Sequence, residues 1–249
     1  MNRLLNKTAV ITGGNSGIGL ATAKEFISEG ARVIITGRNQ ASLDKAVAEL
    51  GPQAYGVLSD TSKLAQVRQL RSQVEAIFPS VDVLFLNAGI AQFSPIEAVD
   101  EAFFDGQFDT NVKGSFFTIQ QLLPLMGEGG SIVLNTSINA HIGMPNASIY
   151  AATKAAVLTF AKNLSAELLP RKIRVNAVSP GPVATPLYGK LGLPSDHLEQ
   201  TANSIRAQVP LGRFGTPEEI AKVVVFFASD DSSFILGAEV IADGGMATL

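Results

Sequence analysis

AVITGGNSGIGLATAKEF, Ala9–Phe26, reads as a strand, a glycine-rich turn and the start of a helix. Gly13, Gly17 and Gly19 permit a tight turn, close approach of the backbone to a diphosphate and close packing of the helix on a sheet. The helix N-terminus, from about Ser16, presents unpaired N–H groups to an anion. The spacing is G-x3-G-x-G rather than G-x-G-x-x-G. Placement directly after the first strand therefore carries the reading of a dinucleotide-binding turn.

The end of the next strand-like run narrows the ligand. In a dinucleotide fold an acid about 20 residues beyond the glycines holds the ribose 2′-hydroxyl of NAD, whereas an Arg nearby accommodates the 2′-phosphate of NADP. Here the run ends IITGRNQAS, Ile34–Ser42, and the acid is missing. Gly37 leaves room for a phosphate, Arg38 supplies a forked charge-assisted contact, and Thr36 and Asn39 can add hydrogen bonds. The expected cofactor is NADP(H). The competing reading of Arg38 is a solvated residue at a helix start.

Further along the chain, short runs rich in Val, Ile and Leu alternate with segments of helical period. The strand candidates are TAVIT, RVIIT, QAYGVL, VDVLFLN, SIVLNTS, RVNAVSP and AEVIAD. Between them lie amphipathic stretches: Leu43, Ala46, Val47 and Leu50 form one stripe, and Leu64, Val67, Leu70, Val74 and Ile77 another. Continuous apolar strands separated by helices imply a parallel sheet covered on both faces. No linker, charge block or repeat divides residues 1–249, so one α/β domain is expected. Residues 185–215, rich in Gly and Pro, lack clear periodicity and read as an excursion that serves as a lid or pocket wall.

The helix-like run SIYAATKAAVLTFAKNLSAELL places Tyr150 and Lys154 four residues apart on one face, next to small residues that leave both tips accessible. Alone, such a pair is an ordinary amphipathic coincidence. Its company changes that. TGGNSGIG (Thr12–Gly19), NAG (Asn87–Gly89), Asn111 in DTNVKG, Ser137 in NTSINA, YAATK (Tyr150–Lys154) and PGPVATP (Pro180–Pro186) occur in this order. Together they resemble the short-chain dehydrogenases/reductases, with similarity running from about Lys7 to Gly245.

The resemblance implies a single Rossmann-fold domain, α/β, with a doubly wound seven-stranded parallel sheet in the order 3-2-1-4-5-6-7. It implies a catalytic Ser137, Tyr150 and Lys154, with Asn111 holding a water that leads from Lys154 to solvent. The cofactor side would comprise Gly13, Asn15, Ser16, Gly17, Ile18 and Gly19 in the glycine loop, with Arg38 and Asn39 at the adenosine ribose. Asp60 and Thr61 would lie at the adenine, and Asn87, Ala88 and Gly89 along the ribose. Tyr150 and Lys154 would meet the nicotinamide ribose, and Pro180, Gly181, Val183 and Thr185 the nicotinamide itself. Asp60 reads equally well as a helix N-cap in SDTSKL. The C-terminal part, with the nearly all-round apolar run Val223–Phe227, is similar to the section members use for assembly, often as homotetramers.

Hydride transfer between a nicotinamide and a carbonyl needs a group that supplies or removes the alcohol proton. A free tyrosine titrates near 10, so work at neutral pH needs a drop of roughly 3, worth about 4 kcal/mol. An ammonium about 4 Å away at an effective dielectric near 20 supplies on the order of 4 kcal/mol. Lys154 is therefore expected to pull Tyr150 down, while Ser137 orients the substrate oxygen. A dinucleotide-binding scaffold without turnover is the rival, and it has no use for an activated phenol.

Within the enzyme class, PLGRFGTPEEIA resembles the 3-oxoacyl-carrier-protein reductase branch, though similar relatives act on sugars, polyols and cyclic or small diketones. A carrier-bound substrate would need cations at the pocket mouth, for which Arg171, Lys172, Arg174, Lys190, Arg206 and Arg213 are available. The absence of cysteine excludes thiol nucleophiles and disulfides. His141 and His197 are the only histidines and no HExxH occurs, so no metal is expected. His141 reads as a solvent-facing loop residue. A net charge of -3 and a pI near 5.5 offer nothing to nucleic acid or an anionic membrane. The start MNRLLNKTAVITGG has no secretory h-region, and no apolar run spans a bilayer, so a cytoplasmic location is expected.

Overall fold

The computed structural model describes residues 2–185 and 195–249. Seven parallel strands form one sheet: β1 Thr8–Ile11, β2 Arg32–Gly37, β3 Ala54–Leu58, β4 Val81–Leu86, β5 Met126–Asn135, β6 Arg174–Pro180 and β7 Glu239–Ala242. Their order is β3-β2-β1-β4-β5-β6-β7, the order implied by the family resemblance. The strand order reverses beside β1, between β2 and β4, and a crevice for a ligand opens at such a switch point, outside the carboxyl ends of the strands.

Alternation along the strands sorts their side chains to two faces. Val10, Ile34, Leu84, Leu86, Ile132 and Val175 pack with α4 (Leu70–Glu75), α6 (Gly114–Leu122) and α7 (Ser148–Leu168). On the other face Ile11, Val33, Ile35, Phe85, Val133 and Val178 pack with α1 (Gly17–Ser28), α2 (Gln40–Leu50) and α9 (Pro217–Ala228). Burial of each large apolar side chain contributes about 1.5–3 kcal/mol. The start of α9 is secured by a capping box in which Thr216 and Glu219 exchange hydrogen bonds, with Pro217 in the first turn. Arg213 forks onto Glu219 and holds its carboxyl down at about 2.

Several elements differ from their expected form. The stretch from Leu64 to Ile77 is two short helices, α3 (Leu64–Val67) and α4, joined by a tighter bond from Gln69 N–H to Gln66 O. Phe78, fully buried, takes the core position expected of Ile77. β5 starts five residues earlier than the apolar run, because Gly127, Gly129 and Gly130 carry a bulge between the pairs Val81–Met126 and Val83–Ser131. A helix, α8 (Ser195–Gln208), stands inside the expected excursion. Leu198, Ala202 and Ile205 recur there at helical spacing in an otherwise polar sequence, a stripe too short to stand out among the flanking Gly and Pro. Pro186 and Lys190 lie outside the described residues. Among the described residues no helix is long and apolar enough to cross a membrane.

Candidate active site

The glycine turn after β1 has the conformation its residues permit. Gly13 and Gly17 take φ of 63° and 53°, the left-handed region that glycine enters freely. A Cβ on Gly19 would stand 2.4 Å from Gly13 O and 2.6 Å from Asn87 Nδ2, so only glycine lets α1 pack this close. Ser16 is the N-cap of α1, yet its side chain makes no capping bond, and the first turn holds no acid. The N–H groups there are open to an anion. Ile18 is half-buried against the α1 side of the core.

Around the end of β2, several residues read as cofactor-side are engaged or buried within the chain. Asn15 Nδ2 donates to Ser42 Oγ at 2.8 Å, tying the turn to α2. Gly37 also makes room for Asn15, since a Cβ there would lie 3.0 Å from Asn15 Cγ. Thr36 is buried, like every β2 residue after Arg32, because the sheet is covered on both faces. Asn39 accepts from Ser42 N–H as the N-cap of α2. Arg38 is exposed and makes no hydrogen bond or ion pair among the described residues. Asp60 Oδ1 accepts from Ser62 N–H and Oγ–H at 3.0 and 2.8 Å, an Asx turn one residue short of the α3 cap at Lys63. Thr61 is half-buried beside it, its carbonyl packed against Gly114.

At the ends of β4 and β5 a polar network links loop to loop. Thr12 Oγ1 accepts from Asn87 N–H and Ala88 N–H. Asn87 Nδ2 donates to Thr12 O and Gly13 O, and Asn87 Oδ1 accepts from Asn135 Nδ2 at 2.9 Å. Lys154, buried in α7, donates to Asn135 O at 2.9 Å. That is one bond for an ammonium with three donors. Asn135 Oδ1 is buried without a hydrogen-bond partner among the described residues. These unsatisfied groups, the open N-terminus of α1 and the exposed Gly89 together suit an anionic, hydroxyl-bearing ligand laid across the strand ends.

Asn111 lies in a π-helical turn, Asp109–Lys113, that precedes α6. Its Oδ1 accepts from Ile90 N–H, and its Nδ2 donates to Ile90 O and Thr153 Oγ1. The amide thus clamps the loop after β4 onto α7. It satisfies backbone, as an amide in a helix can, but the backbone belongs to another element. Beyond β6, which Pro180 ends, Gly181 admits Asp243, whose Cα would stand 2.6 Å from an added Cβ. Val183 pairs with Gly215, and Thr185 is half-buried.

Ser137 is buried at the head of a 3-10 turn, Ile138–Ala140, and accepts from Asn139 N–H at 3.2 Å. Its hydroxyl also acts on the Tyr150 phenol in the first turn of α7, favouring the charged form. Phe93 packs edge-on against the Tyr150 ring at 5.7 Å. The expected lowering of Tyr150 is not found. Burial pushes its phenol up, outweighing the downward pull of the Ser137 hydroxyl. Lys154 is itself pushed down to about 8 by burial. Its Nζ sits 5.8 Å from the centre of the phenol ring and is bonded to Asn135 O. Burial penalises both charged forms, which the pairwise Coulomb estimate leaves out.

Beside the first turn of α7 lies an open cavity of about 460 Å³ whose walls include Pro95, Ile96, Ile142, Met144, Ala147 and Ala151. Among the described residues Glu97 is its only charged lining residue. The described cations among those expected at a pocket mouth are otherwise engaged. Arg171 donates to Leu123 O and Met126 O, Lys172 pairs with Glu128 at 2.9 Å, and Arg174 is buried against Phe227 O, Ser229 O and Ser232. Arg206 bonds Asn203 and lies over Phe214. His141 does not simply face solvent: its Nε2 stands 2.6 Å from Glu239 Oε1.

The profile of a family described as "Enoyl-(Acyl carrier protein) reductase" matches residues 13–247. Oxidoreductase asL5 of Sarocladium schorii is 43% identical, covering 100% of this chain and 99% of its own. A solved structure described as a "short chain dehydrogenase/reductase family protein" superimposes with a TM-score of 0.86 at 39% identity, covering 99% of this chain and 100% of its own. The chain belongs to the short-chain dehydrogenase/reductase family. The 3-oxoacyl-[acyl-carrier-protein] reductase FabG of Thermotoga maritima is 38% identical over 98% of this chain and 99% of its own. Short-chain dehydrogenases/reductases are oxidoreductases that bind a nicotinamide dinucleotide.

In this short-chain dehydrogenase/reductase the residues that sequence reading passed over are Thr12, Phe93, Asn135, Thr153 and Glu239. Asn135 and Thr12 had one available signal, a polar side chain at the carboxyl end of a central strand, where a doubly wound sheet holds its ligand.

Proposed function

We propose that this chain is an NADP(H)-dependent oxidoreductase that interconverts a neutral ketone or aldehyde and its alcohol. One observation carries the reading: the Tyr150 phenol, the Ser137 hydroxyl and a Lys154 ammonium with unused donors converge at the strand ends, beside the open N-terminus of α1. The nicotinamide, when bound, supplies or accepts the hydride. Tyr150, held protonated, donates its proton to the carbonyl oxygen during reduction and is reprotonated from solvent. Ser137 Oγ–H holds that oxygen, Lys154 turns its remaining donors to the nicotinamide ribose, and Asn111 fixes the loop that carries Gly89. The free Oδ2 of Asp60 is available to the adenine amine.

Arg38 favours NADP. It stands unpaired among the described residues beside the N-terminus of α2, whose first turn has no acid, so both the guanidinium and the helix end attract a 2′-phosphate. Arg38→Ala is expected to weaken NADPH binding by roughly 10–100-fold, the worth of a charge-assisted contact of about 1.5–3 kcal/mol, and to leave NADH within about twofold. Tighter binding of NADH by the wild type, or equal loss of both cofactors, would refute the preference.

Among the described residues the cavity carries no cation and Arg171, Lys172, Arg174 and Arg213 are engaged elsewhere, which supports a free, uncharged substrate over a carrier-bound one. A panel of small diketones, cyclic ketones, sugars and acetoacetyl-CoA, run with NADPH and NADH, tests this. NADPH oxidation with the neutral ketones is expected. Preference for the thioester would favour the reductase branch exemplified by FabG, and tight NADPH binding with no turnover across the panel would favour the scaffold reading.

Assembly as a homotetramer fits the apolar surface near α9 and β7. Val223 and Phe226 are only half-buried, and Phe234 and Leu236 are 98% and 41% exposed. Light scattering at micromolar concentration should give a multiple of 26.1 kDa; a monomer would remove the assembly claim.

A further inference from the structure

Thr136–His141 is the turn that presents Ser137, and both of its ends are tied to one carboxylate. At its start, Thr136 N–H donates to Val178 O at 2.8 Å, and its one hydroxyl proton is shared between Val178 O, at 2.9 Å, and Ser179 Oγ. Ser179, fully buried on β6, donates to Glu239 Oε1 on β7. At its end, His141 Nε2 stands 2.6 Å from the same oxygen, with the two side chains 31% and 19% exposed. Thr136 and Ser179 are both at most 3% exposed, so this chain of donors runs out of contact with water. Ile142 and Met144, which follow His141, are walls of the cavity beside α7.

We propose that Glu239 and His141 are a positioning pair that holds the Ser137 turn in register with Tyr150. The inference rests on the reductase reading above. Neither residue touches the reacting atoms; the carboxylate acts through Ser179 and Thr136 on one side of Ser137 and through His141 on the other. A displacement of a catalytic group by about 1 Å can cost on the order of 100-fold in rate, so a bracket of this kind has a measurable output. The glutamate is reached from Ser137 only through tertiary structure, about 100 residues away in sequence, which is why no local motif marks it.

The test uses full-length protein and the best neutral ketone of the panel. Glu239→Ala and His141→Ala are each expected to lower kcat by about 10-fold or more, with the NADPH dissociation constant within about twofold of wild type. The double variant should be no worse than the more damaged single one, since both act through one bracket. Glu239→Gln, which keeps an acceptor for both donors, should restore kcat to within about threefold. Should an alanine variant not fold, His141→Phe keeps the ring volume, removes the N–H and carries the same expectation. The proposal is overturned if kcat stays within twofold in the alanine or Phe variants, if Gln rescues nothing, or if cofactor affinity falls in step with kcat. A wild type that reduces no ketone of the panel overturns the reductase reading and this inference with it, whereas an active wild type unaffected by the substitutions overturns this inference alone.

Discussion

Tyr150→Phe is expected to lower kcat for carbonyl reduction by about 1000-fold or more while leaving the NADPH dissociation constant within about twofold. A positioned acid or base contributes roughly 100- to 10,000-fold, and the substitution removes only the hydroxyl that does this work. The ring stays: its edge-on contact with Phe93 at 5.7 Å does not involve the oxygen. The remaining loss is the polar interaction with Ser137, whose hydroxyl keeps Asn139 N–H as a partner, so the structural cost is at most about 1 kcal/mol. The upward push on the phenol suits the reductive direction, because the donor stays protonated through neutral pH. Steady-state kinetics beside fluorescence titration of NADPH separate the two effects. A variant whose kcat lies within tenfold of wild type would remove Tyr150 from the chemistry.

The sheet was legible because its signal is local and repeated. RVNAVSP coincides with β6, and TAVIT, RVIIT and VDVLFLN overrun β1, fall one short of β2 and overrun β4 by single residues. A parallel sheet buried on both faces leaves no polar alternation to confuse with helix. The glycine turn and the Tyr150–Lys154 pair were legible for the same reason, since each lies within a few residues of chain. Illegible were the features created when strand ends meet. Asn135 O, not the phenol, holds Lys154; Asn15 packs against Gly37; and Glu239 pairs with His141 across 98 residues. The direction of the Tyr150 shift was missed because spacing on a helix gives the Coulomb attraction, while desolvation depends on everything packed around the pair.

Lys154→Met follows from that desolvation, and its expected signature has two parts. Turnover should fall by about 100-fold or more, because the ammonium that meets the nicotinamide ribose and acts beside the phenol is gone. The cofactor-free protein should nevertheless become more stable. Burial holds Lys154 at about 8 against an ordinary 10.5, so keeping it charged near pH 7 costs about 3 kcal/mol, at about 1.4 kcal/mol per pH unit. Met fills a similar volume without the charge and forfeits the bond to Asn135 O, worth about 1 kcal/mol, for a net gain of about 2 kcal/mol. In a chain of this length that raises Tm by roughly 4–8 °C. The sign with pH follows from proton counts: between about 8 and 10.5 the unfolded lysine holds a proton that the folded one has lost, so wild-type stability climbs across this window relative to the variant. The advantage of Met should therefore be full below about pH 8 and fade as pH rises through the window. Thermal denaturation of both proteins near pH 7 and near pH 10 decides it. A variant less stable than wild type near pH 7, or a gap that does not narrow with rising pH, would mean that the buried ammonium costs the fold nothing.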